Sequence, residues 1–440
     1  MKGKCLATVL ALLGPVTGCG APPTSGPGSA KVSPDVYAAL GGAARVAVLV
    51  VLREGDGTAG SQSTARTDAI SDVQGSVLSE LSPADFQLTH RWRNIGGLAG
   101  EASLSALRTL EAHPQVELVG LPGKKYATSA ESVPLMLGNE AHALGFTGKG
   151  VPVAVLDTGI DNTHPDLFDA IAAEACFCTG CACPNGTSSQ TGPGSAHDDN
   201  GHGTNVSGII NSPGRVSPVG VAPDTAIVAI KVLGPNGGGD QGILSGLDFV
   251  LANPSIKVVN MSLGGGRFTT VCDSADAANA LYGRALADLR GRGTVTFVAS
   301  GNNGFTDAVT TPACINAAVA VGAVYDSNVG GIRWVVCPDG TTAADQVTCF
   351  SNSSPLVELL APGALITSAG VGGGTSTEGG TSQATPHASG AAAVLLEANP
   401  GLSADAIVAT LKETGVPVRD SKNGLTLPRI NLKAALDRVR

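Results

Sequence analysis

Gly380-Thr381-Ser382-Gln383-Ala384-Thr385-Pro386-His387 is the stretch that decides the fold of this chain. It places a serine where a glycine-rich strand end turns into a helix, and the apolar residues 391–396 predict that this helix is buried. The first turn of a helix carries backbone N–H groups without partners and the positive end of the helix dipole. The sequence therefore predicts that the hydroxyl of Ser382 lies where negative charge is favoured.

Two upstream segments supply the side chains that would activate such a serine. Asp157-Thr158-Gly159 and Gly201-His202-Gly203-Thr204 precede it in the chain. Acyl transfer needs a nucleophile, a base that takes its proton and a carboxylate that orients the base. Each segment alone would also fit an ordinary turn aspartate, a solvated loop histidine or a helix-capping serine. The order Asp157, His202, Ser382 favours a catalytic triad.

In this order the three segments resemble the active-site segments of subtilases, a family of serine endopeptidases. The resemblance covers residues 127–440 and implies an α/β fold with a doubly wound, mostly parallel sheet. The apolar runs 151–156, 226–232, 257–261 and 294–300 suit its central strands. It also implies the function, the hydrolysis of polypeptides through an acyl-enzyme. Competing readings are a peptide-binding protein, which would usually lack a triad member, and esterase or peptidyl-transfer activity on the same residues.

The resemblance also assigns residues for the oxyanion and the substrate. Asn302 matches the asparagine that stabilises the oxyanion together with the backbone N–H of Ser382, although Asn-Asn-Gly also suits a turn. Ser262-Leu263-Gly264-Gly265 matches the segment that pairs with an extended substrate and lines the first specificity pocket. Because this segment has no acidic residue, we expect an apolar or broad preference there. The predicted substrate-binding residues are Ser262, Leu263, Gly264 and Gly301.

Two positions differ from the usual family residues. Asn205 stands where subtilases usually have a second histidine, outside the triad. Gln383 stands where they usually have a methionine next to the nucleophile. A thioether is readily oxidised and an amide is not, so Gln383 predicts better tolerance of peroxide.

The charge of the chain argues against one class of partner. The 27 basic and 36 acidic side chains leave a net charge of −9, which gives nucleic-acid binding no electrostatic support. No apolar run reaches the ~20 residues that span a bilayer. We therefore expect contact with a membrane only through a lipid anchor.

The N-terminus predicts export. Lys2 and Lys4 precede the apolar run 6–13, as in a signal peptide, which we place at residues 1–18. Residues 19–42 are rich in Gly, Pro, Ser and Ala, a composition typical of a flexible tether.

A cysteine at the end of the signal segment predicts the anchor. Val16-Thr17-Gly18-Cys19 resembles the lipobox of bacterial lipoproteins, in which the cysteine is lipidated. We therefore expect lipidation of Cys19 and a membrane-anchored protein. Ordinary cleavage near Ala21 and secretion is the alternative.

Residues 43–126 predict a separate small domain. Their strands and helices follow the order β-α-β-β-α-β, which is typical of ferredoxin-like α+β domains. In this position they resemble the propeptide of subtilases, although an unrelated ferredoxin-like module is the alternative. The resemblance implies an autoinhibited precursor with its own propeptide as intramolecular inhibitor, cut near Tyr126.

All but two of the ten cysteines follow residue 19, and an even number in an exported protein predicts disulfides. Cys337 and Cys349 flank a predicted hairpin, and Cys272 with Cys314 would close a loop beside the substrate groove. Two bridges are favoured for the remaining cluster, with zinc binding as the alternative. This cluster consists of Cys176, Cys178, Cys181 and Cys183.

Calcium sites are common in subtilases, so a structural calcium ion is compatible with the resemblance, while catalysis needs no cofactor. The loop 211–220 occupies one such location, but it is interrupted by prolines and has few oxygen ligands. Asp166 matches one family ligand. The sequence therefore assigns no metal site.

Overall fold

The structure is a computed structural model that describes residues 31–53, 64–93, 95–121 and 131–440. These residues fall into two compact units, one before and one after the stretch 122–130. Each unit has a hydrophobic core of its own.

Several predictions from the sequence lie outside the described residues. They are the signal peptide 1–18, the lipidation site Cys19 and the maturation site near Tyr126. In the ranges that the structure does describe, no helix is both long and apolar enough to cross a membrane.

The N-terminal unit is a small antiparallel sheet with helices packed on it. Its elements are α1 (Pro34–Leu40), β1 (Val46–Leu52), α2 (Thr64–Ser79), β2 (Phe86–Arg91), β3 (Gly97–Ala102), α3 (Leu104–Ala112) and β4 (Val116–Gly120). The strand order β2-β3-β1-β4 puts the first and last strands side by side in the sheet. Alternate residues of β1, Val48 and Val50, are buried against Leu107 and Leu110 of α3. From β1 onward the elements follow the order β-α-β-β-α-β that the sequence predicted.

The prediction of a tether over residues 19–42 is wrong for its last part. Residues 34–40 form α1, and Val32 pairs with Val119 as an isolated β-bridge. Val32, Val36 and Leu40 are buried in the core of the N-terminal unit. Val36 and Leu40 lie four residues apart on one face of α1, and Val32 reaches the same core from the β-bridge. Burial of these side chains offsets the entropy of ordering the segment.

The C-terminal unit contains the large sheet. Its first elements are α4 (Ser132–Leu135), α5 (Gly138–Ala143), β5 (Pro152–Asp157), β6 (Ile171–Phe177), β7 (Ser189–Thr191), α6 (His202–Asn211), β8 (Ala226–Lys231), α7 (Asp240–Leu251), β9 (Val258–Met261), β10 (Gly265–Phe268), α8 (Ala277–Gly291) and β11 (Val295–Ala299). They are followed by β12 (Val309–Thr311), β13 (Val319–Tyr325), β14 (Ile332–Arg333), β15 (Pro338–Asp339), β16 (Val357–Ala364), β17 (Ile366–Gly370), β18 (Gly374–Glu378), α9 (Thr381–Ala398), α10 (Ala404–Glu413), β19 (Val416–Arg419), β20 (Thr426–Arg429) and α11 (Leu432–Val439).

The centre of this sheet is parallel and covered on both faces. The strand order is β19-β20-β16-β13-β11-β9-β5-β8-β6-β7, and the pairs from β16 to β6 are parallel. Along β5, Val153 and Val155 face one core while Ala154 and Leu156 face the other. This two-sided burial explains the continuous apolar runs in the sequence, and it confirms the doubly wound α/β fold.

The long helix α9 lies on the sheet, and this packing sets the position of Ser382 in its first turn. It packs against β9, β11, β13 and β16, and small side chains such as Ala391 and Ala392 allow the close approach. The predicted strands β5, β8, β9 and β11 are all present, and the carboxyl ends of parallel strands are where such sheets place ligands.

All four predicted disulfides form in the structure. Cys272 is bonded to Cys314 and Cys337 to Cys349, as the sequence predicted. In the cysteine cluster Cys176 is bonded to Cys183 and Cys178 to Cys181, so these four sulfur atoms are used in bridges.

Candidate active site

Asp157 and His202 form a short hydrogen bond. Asp157 is the last residue of β5 and is fully buried, and His202 is the first residue of α6. The Nδ1 atom of His202 lies 2.7 Å from Oδ1 of Asp157, and the same oxygen accepts the backbone N–H of Thr158 at 2.7 Å. The aspartate therefore holds the ring by Nδ1 and leaves Nε2 free to act as a base.

The start of α6 is fixed by Asp198. Its carboxylate accepts the backbone N–H groups of Asn200, Gly201 and Thr204, which satisfies donors that a helix start would leave unpaired. Gly203 has to be glycine, because a Cβ atom there would lie 2.2 Å from the carbonyl oxygen of Gly159. The backbone around His202 is thus held on both sides.

Local charges raise the proton affinity of His202. Burial of the ring opposes its positive charge, but the charge of Asp157 and the hydrogen bond to it outweigh that effect. Glu378 and Asp198 add to the attraction, and together these groups raise the pKa of His202 to about 9. The protonated ring, which forms when the base accepts a proton, is therefore well stabilised.

Ser382 lies in the first turn of α9. Its hydroxyl donates to the carbonyl oxygen of Ser262 at 3.2 Å, and its own carbonyl oxygen accepts the Ser262 hydroxyl at 2.7 Å. Among the described residues, no hydrogen bond joins Ser382 to His202.

The helices α6 and α9 bring His202 and Ser382 into the same region. The two helices pack against each other, and their first turns are joined by a bond of 3.3 Å from Nε2 of Gln383 to Oδ1 of Asn205. Gln383 follows Ser382 in the chain, and Asn205 lies one helical turn after His202. The three predicted triad segments thus meet at one edge of the sheet.

Asn302 is oriented by the residue before Ser382. Its side-chain oxygen accepts the backbone N–H of Thr381 at 2.8 Å and the Thr381 hydroxyl at 2.9 Å. With the oxygen fixed in this way, the NH2 group has no acceptor among the described residues. Both this group and the backbone N–H of Ser382 are available as donors near the serine hydroxyl.

A cavity of about 510 Å³ opens beside Ser382. Most of the predicted substrate-binding residues line it, while Ser262 contributes the hydrogen bonds to Ser382 instead. Asp157 and His202 are not part of its lining. The predicted residues that line it are Leu263, Gly264, Gly301, Asn302 and Ser382.

The sequence reasoning missed three residues near this site. Asp240 and Tyr282 line the cavity, and the Tyr282 hydroxyl donates to the Asp240 carboxylate at 2.8 Å. Glu378 lies at the end of β18 and reaches Gln383. Neither Asp240 nor Glu378 stands in a recognisable motif, so only their position in the fold reveals them.

The surroundings of Asp166 do not suit a calcium ion. The carboxylate accepts the backbone N–H groups of Arg215, Val216 and Ser217 and the hydroxyl of Ser217, at 2.6 to 3.2 Å. Arg215 also pairs with Asp169 at 2.5 Å. Hydrogen-bond donors and an arginine therefore stand where a cation would need oxygen ligands. In the described part of the chain, no group of three His, Cys, Asp or Glu side chains could hold a metal ion.

Comparison with known sequences finds proteases. The sequence pattern described as "Subtilase family" matches residues 148–430. The Alkaline protease of Alkalihalobacillus alcalophilus is 33% identical over 344 residues, which cover 77% of this chain and 79% of that protein. Subtilisin E of Bacillus subtilis (strain 168) is 31% identical over 329 residues, covering 73% of this chain and 75% of that protein. The first alignment covers more of the chain than residues 126–440 make up, so it extends into the N-terminal unit.

Comparison with solved structures gives the same result for the fold. A cold adapted subtilisin-like serine proteinase is 31% identical with a TM-score of 0.50, and the match covers 64% of this chain and 89% of that one. A protease from Pseudoalteromonas arctica PAMC 21717 has a TM-score of 0.56 at 24% identity, over 72% of this chain and 96% of that one. The second match bears on the fold alone.

Proposed function

The chain belongs to the subtilase family, and we propose that it cuts polypeptides through Asp157, His202 and Ser382 after export as an autoinhibited precursor. It is a subtilisin-like serine endopeptidase. The observation that carries the assignment of the triad is the hydrogen bond of 2.7 Å between Asp157 and His202. The packing of α6 against α9 brings Ser382 to the same region.

In the first half of the reaction Ser382 is the nucleophile. Its Oγ attacks the carbonyl carbon of the scissile peptide bond while Nε2 of His202 takes the hydroxyl proton. The carbonyl oxygen becomes an oxyanion, which the NH2 group of Asn302 and the backbone N–H of Ser382 stabilise. The protonated His202 then gives its proton to the leaving amine, and the C–N bond breaks to leave an acyl-enzyme.

In the second half water takes the place of the amine. His202 removes a proton from the water as it attacks the ester carbon, and the same donors stabilise the second oxyanion. The Ser382 oxygen leaves with the proton from His202, so the enzyme returns to its starting state. Asp157 stays ionised throughout and stabilises the charged ring.

We assign the substrate to the cavity beside Ser382. An extended chain would pair with the backbone of Ser262, Leu263 and Gly264, and Gly301 would line the pocket for the side chain before the cut. This binding favours unfolded or loop segments, because a folded strand or helix has its backbone groups already paired.

Casein digestion by the wild type and by Ser382→Ala tests the triad. The wild type should release peptides and react covalently with a fluorophosphonate, and the variant should do neither while keeping the same thermal midpoint. A peptide-binding protein without activity would bind casein and give no cleavage in either form. Mass spectrometry of the labelled wild type should locate the fluorophosphonate on Ser382. A label on another serine would refute the assignment.

We propose that residues 43–126 are the propeptide of this enzyme. The support is the order of strands and helices in the N-terminal unit, together with an alignment that extends into it. N-terminal sequencing of the mature protein should give a start between residues 127 and 135. Purified residues 31–126, which include the buried helix α1, should inhibit the mature enzyme when added to it, and no inhibition would count against this role.

We propose export with a lipid anchor at Cys19. The basic and apolar N-terminal segment supports export, and the lipobox-like sequence supports the anchor. Labelled fatty acid should be incorporated into the wild type and not into Cys19→Ser. Release of both forms into the medium without label would instead indicate ordinary secretion.

A further inference from the structure

Glu378 belongs to a closed ring of hydrogen bonds among residues of α6, β18 and α9. Its Oε2 accepts Nε2 of Gln383 at 3.0 Å, and the same nitrogen donates to Oδ1 of Asn205 at 3.3 Å. Nδ2 of Asn205 donates to the hydroxyl of Ser376 at 2.8 Å, and that hydroxyl lies 3.3 Å from Oε1 of Glu378. We call these four residues the Glu378 ring.

The Glu378 ring joins the two helices that carry the triad. Asn205 lies one turn after His202 on α6, and Gln383 directly follows Ser382 on α9. Both are buried, so their amides depend on each other and on Glu378 for hydrogen bonds. They are also the two positions at which the sequence departs from the usual subtilase residues, and the structure places them in contact.

The ring holds a negative charge near His202. Within the described residues, Glu378 is paired with no lysine or arginine, and its hydrogen-bond donors are a neutral amide and a hydroxyl. The charged groups whose fields reach His202 are Asp157 at the end of β5, Glu378 at the end of β18 and Asp198 before α6. The effect is mutual: burial raises the pKa of Glu378, while the charge of His202 lowers it.

We propose that Glu378 is a positioning residue whose carboxylate, held by Gln383 and Ser376, supplements Asp157 in stabilising the protonated ring of His202. This role rests on the proposed function, in which His202 carries the proton between attack and departure. The carboxylate also fixes Gln383 and so keeps that side chain in one place beside the nucleophile. Asp157 touches the ring of His202, whereas Glu378 acts on it through its charge.

The substitution Glu378→Gln separates charge from hydrogen bonding. The new side-chain oxygen can still accept Gln383, and the new NH2 group can donate to the hydroxyl of Ser376, which can in turn donate to the carbonyl oxygen of Ala369 at 3.3 Å. The ring should therefore survive while its charge is lost. Glu378→Leu breaks the ring as well, and Glu140→Gln removes an exposed carboxylate on α5 as a matched control.

The first measurement is the titration of His202 by NMR in the full chain carrying Ser382→Ala, with labelled imidazole nitrogens. The signal is assigned by its loss in His202→Ala. Glu378→Gln should lower the pH midpoint of His202 by about half a unit or more, and Glu140→Gln should leave it unchanged. An unchanged midpoint in Glu378→Gln would refute the proposal, whether or not the protein proves to be a protease.

The second measurement is the pH dependence of kcat/KM for a peptide substrate. With active wild type, the acidic limb of Glu378→Gln should move to lower pH by the same shift, with a maximal kcat within about threefold of wild type. Glu378→Leu should move the limb equally and lower kcat further. If Glu378 had only a structural role, both substitutions would lower kcat and leave the acidic limb at the pH of the wild type. This result would contradict the proposal that the charge of Glu378 acts on His202.

Discussion

The Nδ1 atom of His202 lies 2.7 Å from Oδ1 of Asp157, and the two side chains differ greatly in exposure. The aspartate side chain is 1% exposed, whereas the histidine side chain is 25% exposed. The Nδ1 edge of the ring is thus bound to a buried anion, while the Nε2 edge can reach substrate. A buried carboxylate is poorly screened, so its effect on the ring is stronger than that of a surface ion pair.

We expect Asp157→Asn to lower kcat/KM by about 10³- to 10⁴-fold, because the amide is neutral and cannot stabilise the protonated ring. Asparagine and aspartate have side chains of similar size, so the fold should persist. The thermal midpoint of the variant checks this. Hydrolysis of a chromogenic peptide measures the loss. Activity within tenfold of wild type would mean that another group orients His202.

We expect Asn302→Ala to lower kcat by roughly a hundredfold, about 3 kcal/mol, with little change in KM. The donor acts on charge that exists only in the transition state, so substrate binding hardly uses it. Steady-state kinetics separates the two constants. Asn316→Ala, an exposed asparagine outside the site, is the control. An increase in KM with normal kcat would assign Asn302 to substrate binding instead.

The sequence predicted the parts of this site that depend on local motifs. Asp157 follows an apolar strand, and His202 and Ser382 start helices of small residues, so each motif carries its own structural context. Asn302 was predicted for the same reason, since it follows the strand β11. The structure adds Thr381 as the residue that orients its amide.

Other features depend on contacts between distant residues, and no local pattern reveals them. The Glu378 ring joins side chains of β18, α6 and α9. The donors around Asp166 come from a loop about fifty positions further along the chain. Helix α1 was hidden because its two buried apolar residues, Val36 and Leu40, stand in a segment with the composition of a linker.

We expect the wild type to retain its activity in peroxide far longer than Gln383→Met, because the amide of Gln383 replaces an oxidisable sulfur beside Ser382. Met136 and Met261, the methionines among the described residues of the wild type, are fully buried. Residual activity is followed over time as a fraction of the starting value of each form, since Gln383→Met also changes the Glu378 ring. Equal decay in both forms would place the sensitive group elsewhere.

We expect removal of the Cys272–Cys314 bridge by a double change to Ala to lower the free energy of unfolding by about 4 kcal/mol. The two residues are 42 positions apart, so their disulfide closes a long loop and greatly reduces the conformational freedom of the unfolded chain. Removing Cys178–Cys181, which are 3 positions apart, should cost about half as much. Unfolding in urea measures both. Equal losses would show that strain or packing outweighs the loop entropy.

We expect Asp166 to hold no calcium ion, because hydrogen-bond donors already surround its carboxylate. Burial opposes the charge of Asp166, but the bonds from Ser217, Arg215 and Val216 hold the pKa of its carboxyl below the ordinary value. The stability that these bonds supply should therefore be present above the ordinary carboxyl pKa and be lost as the pH falls through the lower folded value. Asp166→Asn should lower the free energy of unfolding by about 2 kcal/mol at neutral pH, because its NH2 group faces donors. Scanning calorimetry with and without chelator gives both results. A drop of the midpoint in chelator that occurs in the wild type and not in Asp166→Asn would show that Asp166 binds calcium after all.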